Sequence, residues 1–155
     1  MTSFGLILLL AAQPSGSTAS TARAEAYYHF SLAQQAKLQG KAEDALDELR
    51  KAQKSDPRSA VIRTEQAAVL RELNRIDEAL AAAREAVRLD ADDAKAHLVL
   101  AHLFIMKADS GATLADLKSA ALQYEEVARL DPDDAQTLRT LATLYGQLND
   151  LAGAA

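Results

Sequence analysis

The sequence predicts an all-α protein assembled from repeated helix hairpins, and three observations carry that prediction. The first is composition. The 155 residues include 34 Ala and 24 Leu but five Val and four Ile. Ala, Leu, Glu, Arg, Lys and Gln are strong helix formers, and so few β-branched residues cannot furnish the strands of a sandwich or a doubly wound sheet. The second is a period. Ala45, Ala79, Ala120 and Ala154 lie 34, 41 and 34 residues apart, and Ala33, Ala67, Ala101 and Ala142 repeat those spacings. The third is the apolar pattern inside each period, two blocks at helical spacing, as in Val69, Leu70, Leu73 and then Ile76, Leu80, Ala83, Val87.

The first element in order is a leader. Residues 1–22 carry no charged side chain, and Phe4 to Ala12 form a nine-residue apolar run followed by the small, polar stretch Gln13 to Thr21. Nine residues are too few for a membrane-spanning helix, which needs about 20. The pattern suits a secretory signal with a small-residue tail at Ser17-Thr18-Ala19 or Ala22-Arg23-Ala24, although no Lys or Arg precedes the apolar run. The alternative is a leader outside the fold. Residues 1–23 are accordingly expected to be a signal peptide or disordered leader, and 24–155 the repeat domain. Export would place the protein in a bacterial periplasm or envelope, and a retained leader in the cytoplasm.

Four units follow, at about 26–59, 60–93, 94–134 and 135–155. Ser59, Asp93 and Asp134 each precede an Ala-rich apolar run and are good N-caps. Gly40, Asn74 and Asn149 divide the two blocks of their units with residues suited to a left-handed cap. Pro57 and Pro132 stand where a helix has ended. The small alanines let paired helices approach to about 8 Å. Larger Leu32, Leu49, Leu100, Tyr124, Leu141 and Tyr145 fill the space beside them. The third unit is seven residues too long, and the surplus between Lys107 and Leu117 is expected to form a longer turn, either a tolerated surface loop or a partner contact. The fourth ends as its second helix begins, leaving Leu138, Leu141, Leu144, Leu148 and Leu151 without cover.

These residues resemble the tetratricopeptide repeat, with related helical-hairpin repeats as the structural alternative. Leu32, Ala33, Ala45, Leu49 and Pro57 fall on its pattern in the first unit, Ala67, Leu70, Ala79 and Ala83 in the second. Leu100, Ala101, Phe104, Ala120, Tyr124 and Pro132 match in the third, and Leu138, Leu141, Ala142, Tyr145 and Ala154 in the fourth. The resemblance implies antiparallel hairpins stacked in a right-handed superhelical solenoid whose first helices line a concave groove for a peptide or protein. By the same resemblance the groove residues are Tyr27, Phe30, Gln34 and Lys37, then Val61, Thr64, Ala68 and Arg71, then Lys95, Leu98, His102 and Ile105, and finally Gln136, Arg139 and Thr143. This set holds four basic residues and no acid. Many carboxylates, among them Glu43, Asp47, Glu78 and Glu125, fall on second helices. The resemblance stops short of the subgroup that clamps chaperone tails, because Phe30, Gln34 and Glu65 replace clamp positions and Lys95 alone matches.

The composition and motifs exclude much else. A net charge of -5 lacks the basic excess of a nucleic-acid binder, and the absence of Cys removes disulfides, thiolate nucleophiles and cysteine-ligated metals. His97 and His102 are five residues apart, not the four that would share a helical face for a metal, and His29 and His97 occupy equivalent packing sites. The clusters Asp90, Asp92, Asp93 and Asp131, Asp133, Asp134 lack the Gly and Glu of a calcium loop and read as caps. No phosphate-binding loop, nucleophile elbow or zinc-protease motif is present. The sequence thus predicts a non-enzymatic scaffold needing no cofactor, no nucleic acid and no stable membrane span. Its expected partner is a peptide or protein segment with acidic and apolar character, or else the groove is merely solvated. Two alternatives stand beside it: the repeat segment of a longer exported protein with an enzymatic or envelope-assembly role, and a module that self-associates through its uncapped C-terminal helix.

Overall fold

The computed structural model describes residues 16–109 and 114–153. Among them are seven helices and no strand: α1 (Gly16–Leu38), α2 (Ala42–Ser55), α3 (Ala60–Glu72), α4 (Ile76–Leu89), α5 (Ala94–Asp109), α6 (Leu114–Leu130) and α7 (Ala135–Gly153). Helix α1 begins before the expected boundary at residue 23, so residues 16–23 are helical. The apolar run Phe4 to Ala12 lies outside the described residues. Three hairpins pair α1 with α2, α3 with α4 and α5 with α6, and each hairpin packs on the next.

The punctuation is where the sequence puts it. Gly40 has φ of +71° and Asn74 of +57°, the left-handed conformation that Gly adopts freely and Asn tolerates. Each lets the following amide reach back: the Lys41 N–H donates to the Ala36 carbonyl (3.0 Å) and the Arg75 N–H to the Leu70 carbonyl (2.9 Å), closing the helix end. At the opposite ends, the Ser59 hydroxyl accepts from the Ile62 amide at 3.3 Å. Asp93 Oδ1 accepts from the amides of Lys95 and Ala96 (3.0 and 3.2 Å), and Asp134 Oδ1 from Gln136 (3.0 Å).

The repeated alanines form the seam of the stack. Ala33, Ala45, Ala67, Ala79, Ala83, Ala101 and Ala120 are all 0% exposed, and Leu46, Leu49, Val69 and Leu103 pack beside them. A side chain any larger at these places would hold the helices apart, so the alanine excess of the composition is a packing requirement.

Two expectations need correction. The surplus of the third unit does not go into a long turn. Helices α5 and α6 have 16 and 17 residues where α3 and α4 have 13 and 14. Six of the seven extra residues therefore extend the two helices by nearly a turn each, and Lys107 pairs with Asp116 across them at 3.2 Å. Residues 110–113 between them lie outside the described residues. The fourth unit, moreover, has no hairpin turn at Asn149, because α7 continues through it to Gly153. Among the described residues no helix covers the outer side of its seam. Ala142 is exposed although Ala33, Ala67 and Ala101, in the same phase, are fully buried. Leu138 and Tyr145 stand 46% and 47% exposed, while Leu144 is buried in the core of the stack. The side chain of Leu151 and the whole of Ala154 lie outside the described residues.

Candidate functional site

The first helices α1, α3, α5 and α7 carry every residue expected in the groove. At the N-terminal end an apolar cleft opens between α1 and α3, lined by Ala26, Tyr27, Phe30, Val61 and Ile62 with Arg23 and Asp56 at its rim. Tyr27 and Val61 are 70% and 57% exposed. Exposed apolar side chains beside a cleft are what a docking site for another apolar side chain requires. Farther along, Leu98 and Ile105 on α5 are half-buried, as are Gln34 on α1 and His102 on α5.

The electrostatics differ from the groove of four basic residues and no acid that the resemblance implies. Glu65 of α3 is only 4% exposed, and its carboxylate takes a lysine on each oxygen, Lys37 of α1 on Oε2 and Lys95 of α5 on Oε1. Burial pushes the Glu65 carboxyl up, but the hydrogen bonds and charges of the two lysines more than offset it, and the group ends below the ordinary carboxylate value. Two of the four expected groove cations therefore share one buried carboxylate, and the cluster keeps a single net positive charge. Sequence reasoning missed this because the three residues are 28 and 30 positions apart, in three successive repeats. The available signal was a lone carboxylate in the middle of α3, flanked by Thr64, Gln66 and Ala67, all of them buried.

Of the other two cations, Arg71 donates through Nη1 to Nδ1 of His102 at 3.1 Å. Burial, and then the charge of Arg71, lowers the pKa of His102, so the imidazole stays neutral and can accept that bond. Arg139 is exposed and donates to the Gln136 side chain at 3.1 Å. Thr64, expected in the groove, is instead 2% exposed, with its hydroxyl 3.1 Å from both the Ala60 carbonyl and Asp93 Oδ2. It locks two repeats together and has no face to offer a ligand.

The remaining histidines are tied into the packing. His29 Nδ1 lies 2.7 Å from Glu48 Oε2, joining α1 to α2. His97 is buried, with Nδ1 2.8 Å from the Gln123 side chain and Nε2 3.0 Å from the Ala91 carbonyl. The second helices pair their own charges within a turn, as in Arg75 with Glu78 and Arg88 with Glu85, both at 2.7 Å. Among the described residues no group of three or more His, Asp or Glu side chains is placed to hold a metal ion.

Residues 62–93, which span α3 and α4 of the second unit, match the sequence model of the tetratricopeptide repeat. The chain has the tetratricopeptide-repeat fold. The solved structures agree. The first tetratricopeptide domain of Spaghetti (RPAP3), bound to an HSP90 peptide, superposes with a TM-score of 0.74 at 23% identity, covering 82% of this chain and 95% of that one. The first such domain of human RPAP3 gives 0.71 at 22% identity over 84% and 98% of the two chains. The tetratricopeptide domain of Arabidopsis OM64 gives 0.69 at 18% over 79% and 96%. No curated protein matches the sequence. The tetratricopeptide stack explains why α1, α3 and α5 share one surface: helices in equivalent positions of successive repeats must fall on the same side.

Proposed function

We propose that the protein is a non-enzymatic scaffold that holds a peptide or protein segment in the groove formed by α1, α3, α5 and α7. The observation that carries this reading is the exposure of Tyr27 and Val61 over the cleft between α1 and α3. Nothing in the intramolecular packing uses most of their surface, and aromatic side chains at such a place are typical anchors of binding energy. Support comes also from similar structures solved with bound peptides, among them the second tetratricopeptide domain of human RPAP3 with an HSP70 peptide. Apolar side chains of the partner would enter the cleft near Phe30, then run past Leu98 and Ile105. Arg71 and Arg139 would supply the attraction for acidic groups.

The pairing of Lys95 with Glu65 governs how this is tested. Reversing Lys95 would set a second carboxylate beside buried Glu65 and destabilise that contact for reasons unrelated to ligand. Tyr27→Ala with Val61→Ser instead removes exposed surface. Capture of partners by the purified chain, compared with that variant, should show at least one protein whose recovery falls about tenfold, the equivalent of about 1.4 kcal/mol. Recovery of the same proteins in the same amounts would count against the groove.

A second reading has its own observation, the exposure of Leu138, Ala142 and Tyr145 on α7. We propose that this face pairs with the same face of a second copy, so that the scaffold self-associates. Export through residues 1–23 is proposed on the leader's composition alone, and recovery of the mature protein with Met1 in place would contradict it.

A further inference from the structure

We propose that Glu65 is an internal ligand of the groove, holding the Lys37 and Lys95 ammonium groups in the way an acidic partner would and so excluding carboxylates from that point. The inference rests on the groove reading above but makes a separate claim, about selectivity. Three helices converge here. Lys37 comes from α1, Glu65 from α3 and Lys95 from α5, and each carboxylate oxygen of Glu65 is bonded to a different lysine. The carboxylate is almost wholly buried, whereas the Lys95 side chain keeps 60% of its surface and the Lys37 side chain 23%. The cations thus face the groove and the anion sits behind them.

Two ammonium groups at one place are a binding site for a carboxylate, since each supplies a charge-assisted donor. In this chain the site is full. An incoming Glu, Asp or chain-terminal carboxylate can bridge both lysines only by displacing Glu65, and a buried carboxylate stripped of both partners is strongly disfavoured. A partner can gain little from acidic groups at this position and must rely on the apolar cleft beside Tyr27 and on Arg71 and Arg139 farther along. Without Glu65 the same lysines would form an open cationic pair.

Glu65→Gln keeps the shape and removes the charge, so it empties the site. The experiment measures binding of fluorescein-labelled hexaglutamate to the full chain by anisotropy at low salt, with hexaglutamine as the neutral control. The native chain should bind hexaglutamate weakly. Glu65→Gln should bind it at least ten times more tightly, with no change for hexaglutamine, and adding Lys95→Ala should abolish the gain. A folded Glu65→Gln protein that binds no more tightly than the native chain overturns the proposal, and so does a gain that survives Lys95→Ala. Should Glu65→Gln melt below the assay temperature, Glu65→Asp serves instead. Its carboxylate is one methylene short of spanning both lysines, so it predicts a smaller gain of about threefold, and no gain overturns the proposal. Partner capture through Tyr27 and Val61 does not enter this assay, so either claim can fail while the other stands.

Discussion

Ala101 and Ala142 occupy the same place in two successive repeats, yet one is fully buried between α5 and α6 and the other is exposed on α7. Replacing each in turn with Leu isolates what the seam requires. Leucine and alanine are both good helix formers, so propensity contributes only a few tenths of a kcal/mol to either change. What differs is space. At Ala101 three added carbons must enter a contact with no exposed surface, and overpacking of that kind costs about 1 to 3 kcal/mol. At Ala142 the side chain extends into open surroundings and the change should stay within about 0.5 kcal/mol. For a chain of this size 1 kcal/mol moves the melting temperature by about 4 °C, so Ala101→Leu should lower it by about 4 to 12 °C and Ala142→Leu by less than about 2 °C. Thermal melts followed by far-UV circular dichroism, at a concentration where the protein is monomeric, read both. Equal losses at the two sites would refute the account of α7 as a helix with an open seam.

Other consequences are measurable with the same protein. His102 is held neutral by burial and by Arg71, with a pKa below its ordinary value near 6.5. The unfolded chain therefore binds more protons there as pH falls through 6.5, and the stabilisation present above that pH should diminish below it. His102→Gln should flatten the dependence of urea stability between pH 7 and 5, and an unchanged slope would show that His102 is not its source. Ser59→Ala removes the hydroxyl that caps α3 and should cost about 1 kcal/mol by urea denaturation, whereas a loss below 0.2 would mean the cap is not formed. Leu138→Gln with Tyr145→Gln on α7 should shift the concentration-dependent mass toward that of one chain. A native chain that stays monomeric at high concentration would remove the self-association reading.

The repeat made most of the fold legible, and the reasons are local. Ser59, Asp93 and Asp134 cap helices because a short polar side chain before an apolar run has few other uses there. Gly40 and Asn74 end helices because few residues accept positive φ. Asn149 carries the same signal, yet α7 runs on through it to Gly153. The seven extra residues of the third unit were countable but not placeable, because a helix extension and a longer turn have the same length in sequence. Lys37, Glu65 and Lys95 mark the limit of local reading. Each is unremarkable in its own helix, and the pairing exists only once the stack brings three repeats together. The groove positions were implied by the family resemblance, but their availability was not: Thr64 and both lysines are engaged by neighbours that the repeat pattern does not name.

The most direct test of the central claim, that the concave surface of the stack holds the partner, is site-specific photocrosslinking from inside and outside the groove. A photoreactive phenylalanine placed at Tyr27 samples the cleft, and one at Leu122, 57% exposed on the second helix α6, samples the other set of helices. The account predicts that a partner is captured from position 27 and not from 122. Capture from 122 with none from 27 would contradict it.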